Sequence, residues 1–152
     1  LLLGTMDEEA GLEGEGGWPG VSSKAQAVVS FAGPSDLLAS DFPRPSRDLL
    51  RDFLGGTPEQ KPRAYRDASP LSHLGPGDAA ILAFQGSKDT LVPFTQCIAL
   101  DKAIKRSGLV GRCELLEGRG HGWAGGELER TLAEMFSFFD SRLGNSPRGS
   151  VE

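Results

Sequence analysis

Three short apolar runs limit what this chain can fold into more than any other feature. They are Ala25–Phe31 "AQAVVSF", Ala79–Gln85 "AAILAFQ" and Arg112–Leu116 "RCELL". Each is near-continuously apolar and too short for a helix of ordinary length, so each reads as a strand buried on both faces. Helical patterns fill the intervals. Ser46–Leu54 has a serine at the N-cap position and Gly55-Gly56 at its end, and Pro58–Asp67 opens on a proline. Pro93–Ser107 runs from a proline to Gly108. The last helix runs from Gly126 to Leu143, with Leu128, Leu132, Met135, Phe136, Phe139 and Leu143 on one stripe. That stripe is expected to pack into the core. Strands alternating with helices predict an α/β fold, with three parallel strands flanked by helices. Right-handed crossovers set the strands side by side, and sites of such sheets lie beyond the strands' carboxyl ends.

The totals exclude several functions. A chain of 152 residues suits one domain. Its net charge of −5 argues against nucleic-acid binding, which needs a basic face. No apolar run approaches the ~20 residues of a membrane span. Cys97 and Cys113, the two cysteines, form no CxxC and sit in apolar stretches, so buried free thiols are expected. The acidic stretch Asp7–Gly20 reads as an exposed loop without calcium-loop spacing. Leu1-Leu2-Leu3-Gly4 reads as the last turn of an apolar helix ended by its glycine, and the tail 144–152 as disordered. No cofactor and no metal is expected.

The ends of the second and third strands carry chemistry. After the second comes "GSKDTLVP" (86–93), and after the third "EGRGHGW" (117–123). Neighbouring parallel strands lie ~4.8 Å apart, so Asp89 and His121 can meet. A carboxylate accepting from one imidazole nitrogen fixes the tautomer and frees the other nitrogen as a base. Gly118, Gly120 and Gly122 fit a tight turn that presents the ring. Each residue alone also has an ordinary reading: His121 as a loop histidine, Asp89 as a cap of the turn before the next helix. A phosphate loop is excluded by position and spelling, since Trp123 stands where GxGxxG needs its third glycine. A metal site lacks ligands, because the second histidine, His73, sits in a turn-like "SPLSHLGPGD".

"GSKDTLVP", then a strand, "GRGHGW" and a terminal amphipathic helix resemble the C-terminal half of an α/β-hydrolase. The likeness is to bacterial esterase/lipase proteins grouped with acetylxylan and feruloyl esterases. It extends over "VVSFAGPSDL" (28–37), "FLGGTPEQKPRAYRDASPLSHL" (53–74) and "ILAFQGSKDTLVP" (81–93), and covers nearly all of residues 1–143. The resemblance implies Asp89 as triad acid and His121 as general base of a serine esterase acting on small acyl or carbohydrate esters. The family's serine sits in a GxSxG elbow that this sequence lacks; Ser35 and Ser87 do not fit it. The nucleophile is therefore expected roughly seven residues before Leu1, and the missing N-terminal half of the same domain is the expected partner. Residues 1–143 are then the C-terminal part of one domain, with 35–74 a lid or substrate-facing insertion. Phe42, Tyr65 and Trp123 are candidates to line an acyl or aromatic pocket. The isolated chain is expected to be inactive and poorly stable, with an apolar sheet edge left open. Two alternatives are a prolyl-oligopeptidase-type peptidase and a non-catalytic remnant.

Overall fold

The computed structural model describes residues 1–6, 11 and 23–144. The acidic stretch expected as a loop, Gly11 excepted, and the tail from 145 onward lie outside the described residues. The elements in order are α1 (Leu2–Thr5), β1 (Ala27–Phe31), α2 (Arg44–Leu54), α3 (Pro62–Asp67), a 3₁₀ turn (Pro70–Ser72), β2 (Ala80–Gly86), α4 (Thr95–Arg106), β3 (Gly111–Leu116) and α5 (Gly126–Leu143). The strands form one parallel sheet in the order β1-β2-β3, with Ala27 opposite Ala80 and Gly86 opposite Leu116. The expected three parallel strands with flanking helices are therefore present.

The period-2 alternation of β2 builds two of three apolar cores. Ile81 and Ala83 point to α4 and pack with Leu100 and Ile104. Leu82 and Phe84 point the other way and pack with Leu116, Val29, Trp123 and Phe138 of α5. The third core lies within residues 35–74, where Leu37, Phe42 and Tyr65 pack with Leu50 and Leu54. That segment is tied to the start of α4. The buried Gln96 Oε1 accepts from the Ser35 and Asp36 backbone N–H groups at 2.9 and 2.7 Å, and the Thr95 hydroxyl donates to Asp41.

The local expectations fail in five places. Prolines rather than Ser46 set the start of α2, because Pro45 loses no hydrogen bond in a first turn. Ser46 lies inside the helix and its hydroxyl donates to the Leu91 carbonyl at 2.6 Å. Pro58 opens only a turn, and α3 begins at Pro62. A helix running through from Pro58 would put Pro62, which has no N–H, in its interior. Gly4 does not end α1. It is buried where an added Cβ would meet Val28 Cγ2 at 2.5 Å, so it serves close packing.

The fourth difference is the apolar stripe of α5. The helix turns Thr131 and Phe138 toward the sheet and leaves much of the stripe outside, with Phe136 62% and Leu143 45% exposed. Trp123 Nε1 donates to Thr131 Oγ1 at 2.9 Å, which helps fix that rotation. The exposed Leu128 and Leu132 instead stand beside Phe31, at the end of β1, whose outer edge pairs with no strand among the described residues.

The fifth difference is that the two cysteines are not free thiols. Cys97 and Cys113 form a disulfide, their Cα atoms 5.4 Å apart. Cys97 is in the first turn of α4 and Cys113 is on β3, and α4 lies against that strand. Their separation of 16 residues spans one helix-to-strand return. A cross-link closing such a loop contributes about 3 kcal/mol by restricting the unfolded chain. Cys97→Ser with Cys113→Ser is therefore expected to lower the Tm by roughly 6–12 °C. An unchanged melting curve after reduction would count against the bond.

Candidate active site

The carboxyl ends of β2 and β3 are zipped together by their following loops. The Ser87 N–H donates to the Leu116 carbonyl at 3.0 Å, and the Lys88 N–H to the Arg119 carbonyl at 2.8 Å. The Gly118 N–H donates back to Ser87 Oγ at 2.8 Å. Gly86 makes the approach possible, since a Cβ there would lie 2.1 Å from the Gly120 carbonyl oxygen and 2.3 Å from that of Arg119. Of the three glycines around His121, Gly118 alone needs the left-handed backbone, at φ 73°. Gly120 and Gly122 have neither a positive φ nor a neighbour within 4 Å of an added Cβ. The glycine that sets the loops' approach is thus the last residue of the acid's strand, not one of those around the histidine.

The zipper brings together the two residues singled out from the sequence. His121 Nδ1 lies 2.9 Å from Asp89 Oδ2, across 32 positions of chain. The Asp89 side chain is fully shielded from solvent and accepts four hydrogen bonds. Oδ1 takes the Leu91 and Val92 N–H groups at 2.8 and 2.9 Å. Oδ2 takes His121 and the side-chain amide of Gln85, the latter at 2.7 Å. The ordinary reading of Asp89 as a turn cap therefore also holds: one oxygen caps the turn and the other holds the histidine. Burial alone would raise the carboxyl's pKa. The Val92 and Leu91 N–H groups, His121 and Gln85 together outweigh it and hold Asp89 below the usual carboxylate range.

An ionised carboxylate only accepts, so its partner nitrogen carries a proton. Nδ1 is thus N–H, and Nε2 of the neutral ring is left with a free lone pair. The ring is half exposed, at 46%, and borders an open cavity of about 310 Å³ lined by Phe31, His121, Gly122, Trp123, Leu128 and Leu132. Arg119, 3.5 Å from Glu127, ties the histidine loop to the first turn of α5. Such an arrangement can accept a proton from a hydroxyl at Nε2 and stabilise the resulting imidazolium.

The remaining candidates are placed elsewhere. Ser35 is buried with its hydroxyl donating to the Gln96 carbonyl at 3.0 Å, and Ser87 Oγ is the acceptor of the zipper. His73 Nε2 donates to the Asp67 carbonyl at 2.9 Å, a structural role. Phe42 and Tyr65 line a separate cavity of about 390 Å³ under α2, while Trp123 lines the one beside His121. The three aromatics thus do not share a pocket. Among the described residues no group of three His, Cys, Asp or Glu side chains could hold a metal ion, and no helix is long and apolar enough to cross a membrane. Sequence reasoning missed Gln85 and Gly86. A polar residue closing an otherwise apolar strand was the signal for Gln85.

Comparison with known proteins bears on the family and the fold of the chain. The BD-FAE family model matches residues 1–104, a stretch that includes Asp89 and ends before β3. "Uncharacterized peptidase YtmA" of Bacillus subtilis (strain 168) is 26% identical over 87 residues, 57% of this chain and 34% of that protein. A puromycin-hydrolyzing peptidase of Mycobacterium tuberculosis superposes with a TM-score of 0.68 at 29% identity, over 82% of this chain and 19% of that one. The butyrate-bound esterase Est2 of Thermogutta terrifontis superposes with a TM-score of 0.60 at 25% identity, over 86% of this chain and 48% of that one. The chain spans less than half the length of each of these three proteins.

Proposed function

The chain belongs to the BD-FAE family, with the fold of an α/β-hydrolase C-terminal portion, and from that premise we propose that it supplies the acid and base of a serine carboxylesterase. The Asp89–His121 hydrogen bond at neighbouring strand ends carries this reading. In the proposed reaction a serine from a preceding segment attacks the ester carbonyl carbon and gives its proton to His121 Nε2. Asp89 stabilises the imidazolium. The C–O bond to the alcohol breaks, that proton passes to the leaving oxygen, and water then cleaves the acyl-serine by the same route.

Three observations support the wider proposal. The cavity beside His121 is at the small end for ligand sites, which suits a short acyl group or an acetylated sugar. The exposed Phe31, Leu128 and Leu132, beside the β1 edge that pairs with no strand among the described residues, suit a packed remainder of the same domain. Residues 35–74 have their own core, and Ser46 ties them to the acid loop at Leu91, which suits a substrate-facing insertion.

Residues 1–152 alone are expected not to turn over p-nitrophenyl butyrate, whereas a chain that also carries a GxSxG segment ahead of Leu1 hydrolyses it. Serine-type turnover by the 152 residues alone would overturn the division of the site. The peptidase names among the relatives support a second reading, amide cleavage by the same pair. Aminoacyl p-nitroanilide hydrolysed faster than p-nitrophenyl butyrate would favour it.

A further inference from the structure

Gln85 is the penultimate residue of β2 and is 2% exposed. Its side-chain nitrogen lies 2.7 Å from Asp89 Oδ2 and 3.0 Å from the Val92 carbonyl oxygen. Both partners are pure acceptors, so chemistry fixes the amide's orientation: the NH₂ end faces them and gives one hydrogen to each. Val92 in turn donates its own N–H to Asp89 Oδ1 at 2.9 Å. The side chain of Gln85 therefore closes a ring around the acid, from β2 to one carboxylate oxygen, through Asp89 to the other, and back through Val92.

The geometry of this ring has a directional consequence. Oδ2 is shared by Gln85 and His121. The backbone N–H groups of Leu91 and Val92 hold only Oδ1, about which the carboxylate can still swing. Gln85 is the contact that fixes Oδ2 from the strand side and so sets where Nδ1 must point. Next to it, Gly86 lies opposite Leu116 with no room for a side chain, so the backbone from which Gln85 reaches is itself fixed.

We propose that Gln85 is a positioning residue of the acid–base pair, aiming Asp89 Oδ2 at the His121 imidazole. The inference rests on the proposed esterase reading. Because Gln85 acts through Asp89 and touches no substrate, its loss should lower kcat and leave KM in place.

The test uses the protein carrying both halves of the domain, with p-nitrophenyl butyrate as probe. Gln85→Leu removes both donors at similar volume. Gln85→Met does the same with a more flexible chain, and His121→Ala is the control. Expected are a kcat about 10- to 100-fold lower in both Gln85 variants and a KM within twofold of the parent. Gln85→Glu, which sets an acceptor against an acceptor, should lose more than either. A second readout needs no turnover: the downfield proton signal of the His121 Nδ1–H···Asp89 bond should be lost or broadened in Gln85→Leu while the amide spectrum stays dispersed. Unchanged kcat in both variants, with His121→Ala inactive, overturns the inference and leaves the esterase reading standing. Full activity of His121→Ala removes both. Failure of Leu and Met variants alike to fold would assign Gln85 to the fold alone and also overturn the positioning role.

Discussion

On the proposed esterase reading, ester turnover by a protein that joins this chain to a GxSxG segment is expected to fall by about four to six orders of magnitude in His121→Ala. Proton transfer at Nε2 is the one step that no other described side chain of the site is placed to perform, because Asp89 is shielded and Gln85 does not titrate. The fold should survive, since the ring is half exposed and its one hydrogen bond is to Asp89. Asp89→Asn is the companion test, expected to cost about 10⁴-fold. The carboxylate accepts four donors, and a carboxamide has one acceptor oxygen to offer them. Its NH₂ would face either the backbone donors or the imidazole, and in the second case it would select the wrong tautomer. Measured kcat values within tenfold of the parent in His121→Ala would remove it as the base.

Gly86→Ala is expected to have the largest effect of any substitution outside the acid–base pair on stability and rate together, although it replaces no reactive group. The new methyl would overlap the carbonyl oxygens of Gly120 and Arg119, both backbone atoms that cannot rotate aside. Overpacking of this kind costs about 1–3 kcal/mol. The relaxation available is for the histidine loop to draw back from the acid loop. A displacement near 1 Å can cost about 10²-fold in rate. The expected outcome is therefore a lowered Tm together with a kcat about 100-fold lower. Gly120→Ala provides the contrast, because an added Cβ there meets nothing and activity should stay near the parent's. Equal activity of both variants would show that the loops do not need their close approach.

What could be read from the sequence was what depends on spacing along one element. The three strands, their parallel order and the meeting of Asp89 with His121 follow from apolar runs and from the side of the sheet on which the loops emerge. What could not be read depends on how one element is rotated against another. Cys97 and Cys113 bond because the first turn of α4 faces the middle of β3, and neither local sequence encodes that angle. The α5 stripe satisfies helical periodicity, but the helix meets the sheet through Thr131 and Phe138, roughly a quarter-turn away. Periodicity locates an apolar face without saying what covers it. Gln85 belongs to the same class: its polarity was visible, whereas its partners depend on the turn that returns Asp89 and Val92 to the end of their own strand.

The ring of donors around Asp89 has a kinetic consequence. Gln85, Asp89, Leu91 and Val92 belong to one strand–helix–strand crossover and His121 to the loop that directly follows it, and the Asp89–His121 contact spans 32 positions of chain. Chain segments so close in sequence find each other early, since the entropy of closing the loop is small. The acid and base should therefore be docked before the more distant parts of the domain assemble. Fast-mixing refolding followed at the Asp89–His121 contact would then report its formation ahead of β1 joining the sheet.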